Sequence, residues 1–271
     1  MVVWLLFLVV FSTNFYYQDW KVPYKVFGSD GMSYYAYLPL AFVYKDFRMT
    51  FYDPDDLDLR SQFHNYPRQT PTGNWAIPTA MGMAFLLSPF FILSHLTALM
   101  TGFEANGYSR IYEIGMLIAT LFYFLVGLLF LRKILMKFFS EVVPSVTLVS
   151  VVIGTNLLYY VTSEPLMAHA YSFSAMSVFI FLTIKWHEKP SIKNSFLIGL
   201  VLGLVALLRP TNIIIALFFI LWDVKSFRDF SGKVLFFSRN YQSLFILVIA
   251  FIITWIPQFI YWKHVAGSYL Y

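Results

Sequence analysis

The sequence contains no cysteine and few charged residues. Disulfide bonds, thiolate metal sites and cysteine nucleophiles are therefore excluded. Charged residues make up 12% of the chain and hydrophobic residues 59%, whereas soluble domains carry roughly 25% charged residues. No basic run with interleaved aromatic residues is present, so a nucleic-acid partner is not expected. The composition predicts an all-α, multi-pass membrane protein in contact with membrane lipids.

Seven apolar blocks are typical of membrane-spanning helices, for which about 20 residues cross the hydrocarbon core. The first block has no basic residue before it, so we interpret it as a retained span and not as a secretory signal. Arg209-Pro210 separates two short blocks, which form either one interrupted span or two short spans joined by a hairpin. The predicted spans are 1–17, 111–131, 143–162, 168–186, 195–208, 211–223 and 242–262.

The positions of lysine and arginine predict the topology. Basic clusters at 132–137, 185–193 and 225–239 all lie on the cytoplasmic side if the chain has seven spans and a cytoplasmic N-terminus. Merging the two short blocks would place the last cluster outside, so the hairpin is favoured. Lys21 and Lys25 are exceptions, because they follow the first span on the outer side. We therefore expect a plasma (inner) membrane protein whose C-terminus lies outside.

The long segment between the first two spans, residues 18–109, is predicted to lie outside the membrane. Its apolar block 78–98 is long enough to span, but a crossing there would invert every later loop. We therefore predict interfacial helices that do not cross in this block. Residues 32–47 are expected to form another interfacial helix, which Pro39 breaks or kinks. Connections of this length are usually functional.

Asp30 is the strongest candidate for a catalytic side chain. It lies in the outer loop between Gly28 and Gly31, where a flexible backbone lets a ligand approach closely. The functional interpretation is a general base that deprotonates an acceptor hydroxyl or amine. The structural alternative is a cap for a helix that begins near Met32.

The segment RPTN at 209–212 predicts an anion site near the outer membrane surface. An arginine between two apolar blocks needs a partner or a water-filled cavity. Pro210 suits the first turn of a helix, whose backbone N–H groups would bind a lipid phosphate together with Arg209. The alternative is an arginine that only extends to the interface.

Two further pairs of polar residues have weaker patterns. Glu164 and His169 flank the turn between the third and fourth spans. They would bind sugar hydroxyls or assist proton transfer, or they form an ordinary polar turn. Arg110 and Glu113 are spaced for an ion pair on one helical face, which predicts a structural role.

No metal site is predicted. The acidic run at 53–58 has several carboxylates, but it lacks the glycine and the closing glutamate of a standard calcium loop, so we favour a solvated turn. His64, His95 and His169 have no spacing typical of zinc ligands.

Four polar or interrupted segments follow one another along the chain: SDGMSYYAY (29–37), YSRIY (108–112), EPLMAHAYS (164–172) and GLVLGLVALLRPTN (199–212). In this order they resemble the GT-C superfamily of polyprenyl-phosphate-dependent membrane glycosyltransferases. The closest branch is that of bacterial protein-mannosyltransferase-like and aminoarabinose-transferase-like enzymes. Two features depart from the pattern, since the Asp-Glu pair of many relatives is Asp30-Gly31 here and the His-Pro-Pro element of protein mannosyltransferases is absent.

The resemblance implies one GT-C-like transmembrane module over residues 1–271, with seven helices and interfacial helices in the first outer loop. The abrupt end after the last span suggests a fragment of a longer chain. Such enzymes move a sugar from a polyprenyl-phosphate donor to a glycan, lipid or protein acceptor on the non-cytoplasmic side. Because the leaving group is already a phosphate, a divalent cation is an optional cofactor and not an obligatory one.

By position, the resemblance assigns Asp30 as the base and Arg209 as the phosphate ligand. Two other classes of function stay open at this point. A lipid or solute transporter would be supported by matching broken spans in two halves, but the sequence has one such region. A non-catalytic membrane partner fits the short chain. The other residues expected to bind substrate are Asn212, Glu164, His169, Tyr34 and Tyr35.

Overall fold

The computed structural model describes residues 1–28, 30–56, 58 and 67–271. In these residues the protein is mostly helical, with one antiparallel two-stranded hairpin, β1 (Arg68–Gln69) and β2 (Trp75–Ala76). The α-helices are α1 (Val2–Tyr17), α2 (Gly31–Tyr35), α3 (Gly82–Thr101), α4 (Arg110–Leu135), α5 (Val142–Ile153), α6 (Leu157–Thr162), α7 (Ala168–Glu188), α8 (Ile192–Leu208), α9 (Ala216–Leu221), α10 (Phe227–Arg239) and α11 (Tyr241–Ala266). Shorter helical turns are Asp19–Lys21, Tyr37–Pro39, Leu40–Tyr44 and Pro210–Ile215.

Three of the described helices, α3, α4 and α11, are long and apolar enough to cross a membrane. Helices α4 and α11 coincide with two predicted spans. The other predicted spans are also helical, but the structure interrupts 143–162 between α5 and α6 and divides 211–223 into a 3-10 turn and α9. The membrane character of the chain is therefore supported by these three helices, while the complete seven-span arrangement stays a prediction.

Helix α3 differs from the prediction for residues 78–98, because it is one 20-residue helix that continues through Pro89. It runs antiparallel to only the first half of α4. The hydroxyl of Tyr123, in the middle of α4, donates to the Leu86 carbonyl near the start of α3 at 2.9 Å. His95 meets Tyr112, near the start of α4, at 2.5 Å. Helix α3 is therefore long enough to cross, yet its first turns lie beside the middle of α4.

The predicted interfacial helix at 32–47 is helical between 31 and 44, but it is interrupted, and residues 31–40 are mostly buried whereas Phe42 and Tyr44 are exposed. Pro39 ends one short turn, as its missing N–H group predicts. The Tyr37 hydroxyl donates to the Thr79 carbonyl, and Gly107 packs against Pro39. Residues 31–40 therefore pack inside the protein and do not lie flat on an open surface.

The bundle is built on neighbouring helices whose directions follow from their contacts. Helices α4 and α7 run in the same direction, since Thr120 meets Tyr171 at 2.8 Å and the Phe130 ring meets Phe181 further along both helices. Helix α8 returns antiparallel to α7. Helix α11 then runs parallel to α8, because Gly199 packs on Leu247 whereas Gly203, further along α8, packs on Thr254, further along α11.

The three basic clusters gather at one end of the bundle, which we call the basic end. Lys137 at the end of α4 forms a 2.5 Å ion pair with Glu188 at the end of α7. The ring of Phe138 contacts Trp222 after α9. Lys233 of α10 donates to the Trp222 carbonyl at 2.7 Å. The opposite end, which we call the site end, contains the start of α7 and the end of α8.

Glu113 connects the first outer loop to α4. Its side chain is 2% exposed and accepts hydrogen bonds from the backbone N–H groups of Tyr24, at 3.0 Å, and Val26, at 3.4 Å. Among the described residues it forms no salt bridge with Arg110. The predicted ion pair is therefore wrong, although the predicted structural role is right.

Candidate active site

The turn between α6 and α7 brings the predicted site residues together. Thr120 in α4 donates to the Pro165 carbonyl at 2.8 Å, which fixes the turn against the bundle. Gly31 packs against the same turn, and a Cβ atom built on Gly31 would lie 2.7 Å from the Leu166 Cβ atom. Because Gly31 follows Asp30 directly, the candidate base is placed beside this turn.

Asp30 occupies the N-cap position of α2, but among the described residues of that helix it makes no side-chain capping hydrogen bond. The side chain is half-buried at the site end. Position alone therefore matches the structural alternative, whereas the side chain does not perform the capping function that would explain an aspartate there.

His169, in the first turn of α7, lies between an aromatic ring and a guanidinium group. The Tyr160 ring stacks on the imidazole with a centroid distance of 3.9 Å and an interplanar angle of 14°. A terminal nitrogen of the Arg209 guanidinium lies 3.4 Å from each of the two ring nitrogens of His169. Since the two ring nitrogens flank one ring carbon, equal distances place the guanidinium over the ring face. The contact is a stacking interaction and not a linear hydrogen bond.

The chain reverses direction at Arg209. Helix α8 ends at Leu208, and Asn212 donates its side-chain N–H to the Ser172 hydroxyl near the start of α7 at 3.0 Å. Phe219 then meets Trp186 near the other end of α7, at a ring distance of 5.0 Å. The backbone therefore reverses direction at Arg209, while the crossing of the membrane by two short spans stays a prediction. This reversal places Arg209 at the site end.

The groups available for the anion site predicted at this hairpin differ between the side chain of Arg209 and the backbone that follows it. The helical segment after Arg209 begins as a 3-10 turn, Pro210–Ile215, that runs directly into α9. Pro210 has no N–H group, and the Asn212 N–H donates to the Arg209 carbonyl at 2.9 Å. The contribution of the helix start to an anion site stays a prediction, and the exposed guanidinium of Arg209 is the cationic group at this hairpin.

Charges from both sides of the site converge on Tyr34. Burial raises the pKa of Tyr34, the negative charge of Asp30 raises it further, and the positive charge of Arg209 lowers it. The same two charges also act on His169. The contact of Gly31 with Leu166 and the 3.4 Å approach of Arg209 to His169 place these four side chains in one region of the site end. The structure thus brings an acid and a guanidinium together around a tyrosine and a histidine.

A cavity of about 470 Å³ opens beside His169, between the end of α5 and the start of α7. This volume lies within the range of roughly 300–1,000 Å³ that is usual for small-molecule sites. Tyr160, Thr155 and Asn156 contribute to its lining. Hydroxyl and amide groups beside an aromatic ring suit a ligand that combines hydroxyl groups with an apolar face, such as a sugar.

Two other predicted residues take different positions. Tyr35 is fully buried, its hydroxyl donates to the Gly107 carbonyl, and burial raises its pKa well above the usual value. Its ring packs on Phe27 and Tyr108. The structure therefore makes Tyr35 a core residue and not a substrate contact. Glu164 is half-buried in the turn that also positions His169.

The part of the chain that the structure describes contains no group of three or more histidine or acidic residues that could hold a metal ion. Asp53 accepts a backbone hydrogen bond from Asp55 at 2.9 Å, as expected for an acidic turn. His95 contacts Tyr112 and His169 contacts Tyr160, so these two histidines do not face a common site. His64 lies outside the described residues.

Sequence reasoning missed Tyr160, Asn156 and Ser172. Ser172 falls within the segment 164–172 that carries the resemblance, so its position was marked although its role as the partner of Asn212 was not. Tyr160 belongs to a tyrosine pair near the end of a predicted span, a signal that usually indicates the lipid–water boundary. A search for aromatic side chains next to the Glu164 turn would have found it.

No family model, no curated protein and no solved structure matches the chain. The GT-C resemblance therefore depends on the order of the sequence segments. The function has to be argued from the geometry of the site.

Proposed function

We propose that this protein is a membrane glycosyltransferase that moves a sugar from a polyprenyl-phosphate donor to a glycan, lipid or protein acceptor. The observation that carries the proposal is that the Asp30 segment packs on the turn that leads to His169, and that the Arg209 guanidinium lies 3.4 Å from the His169 ring. A base and a phosphate-binding cation close to each other are the minimum that direct sugar transfer from a phosphate requires.

Arg209 binds the donor phosphate in this proposal. The donor is a phosphodiester with one negative charge, and its departure as a phosphomonoester adds a second charge to the leaving group. An arginine offers several N–H donors to phosphate oxygens and stays protonated. Its stabilisation of the leaving group therefore increases as the bond breaks, which is the condition for lowering the barrier.

Asp30 accepts the proton of the acceptor. The acceptor oxygen or nitrogen gives its proton to the carboxylate and forms a bond to the anomeric carbon. The bond between that carbon and the phosphate oxygen breaks, and its electron pair leaves with the polyprenyl phosphate. A single displacement of this kind inverts the configuration at the anomeric carbon. The step requires no oxidant, reductant or further co-reactant.

His169 is a positioning residue in this mechanism. Its ring stacks on the Tyr160 ring and contacts the guanidinium of Arg209, which restricts the positions that this guanidinium can take. The cavity beside it, which includes Thr155 and Asn156, would hold the sugar. Donor phosphate, sugar and base then follow one another across the site end.

The distribution of basic residues supports a site on the non-cytoplasmic face. The lysine and arginine clusters gather at the basic end, whereas Asp30 and Arg209 lie at the site end. Basic residues near membrane spans favour the cytoplasm. A plasma membrane protein with its site on the outer face satisfies this rule, apart from Lys21 and Lys25.

The test uses the full chain reconstituted in vesicles, with donors consisting of polyprenyl phosphates that carry radiolabelled sugars and a membrane extract as the acceptor source. Asp30→Asn should abolish sugar transfer but leave binding of polyprenyl phosphate unchanged. Arg209→Gln should weaken binding of polyprenyl phosphate by tenfold or more, since a charged hydrogen bond contributes about 1.5–3 kcal/mol.

The matched control for charge is Arg68→Gln in the exposed β-hairpin, which should behave as the wild type. Sugar transfer that survives Asp30→Asn would contradict the assignment of the base. Binding that survives Arg209→Gln would contradict the assignment of the phosphate ligand. Movement of lipid across the vesicle membrane without any sugar transfer would instead favour a transporter.

A further inference from the structure

Helix α10 occupies an unusual place in the fold. None of its residues is buried, and a single residue, Asn240, separates it from α11, which is long and apolar enough to cross a membrane. It lies at the basic end, where Lys233 donates to the Trp222 carbonyl at 2.7 Å. A helix in this place lies next to the boundary between lipid and water, whatever reaction occurs at the site end.

One side of α10 packs on the bundle and fixes how the helix is rotated about its axis. The Phe236 ring stacks on His187 with a centroid distance of 5.8 Å and an interplanar angle of 19°. The Lys233 ammonium lies 5.4 Å from the ring centroids of both Phe236 and Phe237. These contacts define the protein-facing side, so the remaining directions can be assigned.

A second side of α10 is an exposed apolar stripe. Its members, Phe227, Phe230 and Val234, are 99%, 47% and 55% exposed. At 3.6 residues per turn they fall within about 60° of one another. Spacings of three and four residues are those of a continuous apolar surface along a helix. Three neighbouring apolar side chains left open at the end of a membrane span require a cover.

A third side of α10 is cationic. Arg228 and Arg239 are exposed and fall within about 20° of each other around the helix. The only acid of the helix, Asp229, is engaged at the N-terminus, where it accepts from the backbone N–H groups of Ser226 at 2.8 Å and Lys225 at 3.0 Å. The outward charge of α10 is therefore positive, which complements an anionic surface.

We propose that α10 lies in the plane of the membrane interface and docks on the anionic lipid headgroups of the leaflet at the basic end. The stripe of Phe227, Phe230 and Val234 enters the boundary of the acyl chains. Arg228 and Arg239 lie on the side of the helix away from the stripe, so they contribute by long-range attraction to the anionic surface and not by contact with it. Lipid is the occupant because the helix continues directly into α11 and because its exposed charge is positive. This inference is independent of the proposed reaction.

Because the protein has no cysteine, a single nitroxide label can be attached to an introduced cysteine without first replacing native cysteines. The test labels Phe230→Cys on the stripe and Gly232→Cys as the matched control. The two positions are about 160° apart around the helix, and a Cβ atom on Gly232 meets nothing within 4 Å. The full chain is reconstituted in vesicles of phosphatidylcholine alone or mixed with phosphatidylglycerol.

Collision of the labels with oxygen reports lipid, and collision with a water-soluble nickel chelate reports water. In the mixed vesicles the label at 230 should favour oxygen and the label at 232 should favour the chelate. Arg228→Gln and Arg239→Gln are then added to the Phe230→Cys protein. Each of these substitutions should lower the ratio of docked to undocked helix by up to roughly fivefold.

Equal access of the chelate to both labels would overturn the proposal. A label at 230 that is shielded equally in both vesicle types, with broadening from a neighbouring label, would show that a second copy covers the stripe, and it would overturn the proposal as well. Size-exclusion profiles matching the unlabelled protein establish that each labelled protein is folded. The label at 232 shows that shielding at 230 belongs to one side of α10.

Discussion

At the scale of single residues, His169 connects the two halves of the site. It receives the Tyr160 ring on one face and the Arg209 guanidinium on the other. An arginine side chain is long and otherwise free to adopt many rotamers. Stacking restricts these rotamers before the ligand binds, so binding loses less conformational entropy. The imidazole is therefore valuable for its flat ring, independently of its proton.

Replacement of His169 separates these two properties. His169→Ala should weaken binding of a polyprenyl phosphate about fivefold, because a stacked cation contributes on the order of 0.5–2 kcal/mol. His169→Phe preserves a flat ring and should recover most of the affinity. The measurement is lipid binding to the reconstituted protein. If His169→Phe loses sugar transfer as completely as His169→Ala does, the imidazole acts in proton transfer and not in positioning.

A second prediction at this scale concerns Glu113. Glu113→Ala leaves two backbone N–H groups, those of Tyr24 and Val26, without their acceptor, which should destabilise the protein by about 1–3 kcal/mol. Glu113→Gln keeps one acceptor oxygen and should cost less. Thermal unfolding in detergent measures both effects. Arg110→Gln is the control, and a loss as large as that of Glu113→Ala would restore the ion pair that the sequence predicts.

Rare residue types made part of the site predictable from the sequence. Asp30 and Arg209 are distinctive because only 12% of the chain is charged, so each charged group near a span needs an explanation. Aromatic residues have the opposite problem. With 30 phenylalanines and 19 tyrosines, no pattern separates Tyr160, which stacks in the site, from Tyr35, which is buried in the core. Only tertiary packing makes that distinction.

At the scale of helices, the pair α8 and α11 depends on a close approach at Gly199. A Cβ atom on Gly199 would collide with the backbone carbonyl oxygen of Leu247, and a backbone atom cannot rotate away. Membrane helices often associate through such small residues, because packing replaces the hydrophobic driving force. The contact fixes the position of the end of α8 and thereby that of Arg209.

Gly199→Ala should therefore destabilise the protein by about 1–3 kcal/mol through overpacking. Gly232→Ala in α10 is the matched control, because its Cβ atom has open space and alanine favours a helix by about 0.5–1 kcal/mol over glycine. Thermal unfolding of both purified variants in one detergent gives the comparison. Equal stability of Gly199→Ala and the wild type would mean that α8 and α11 can move apart without loss.

Hydropathy predicted where helices occur better than how they are interrupted or aligned. It placed the reversal of the backbone at Arg209 correctly because a charged residue and a proline together mark the break. It missed the interruption between α5 and α6, which falls in a block of mostly apolar residues. The offset of α3 against α4 depends on pairs such as Tyr123 with Leu86, and no property of α3 alone specifies such a partner.

At the scale of the whole molecule, α3 presents two opposing indications. Its length and apolar composition are sufficient for a crossing, whereas its first turns lie beside the middle of α4. A crossing by α3 would also move the basic end to the outer side, against the positive-inside rule. We therefore expect both ends of α3 on the same side as the site end.

Labelling of single cysteines in intact cells tests this topology. A membrane-impermeant maleimide should react with Gln69→Cys before α3 and with Thr101→Cys at its end, since both positions are exposed. Lys193→Cys at the basic end should react only after the membrane is permeabilised. If Gln69→Cys and Thr101→Cys react from opposite sides, α3 crosses the membrane and the predicted seven-span topology is wrong.

The tight contact of Gly31 with Leu166 has a mechanical consequence. The Asp30 segment and the turn that leads to His169 touch without space for even one methyl group between them. Any side chain at position 31 would therefore have to push the two segments apart, and the carboxylate of Asp30 would move away from the turn. Gly31 thus sets how closely the candidate base can approach the residues that lead to His169.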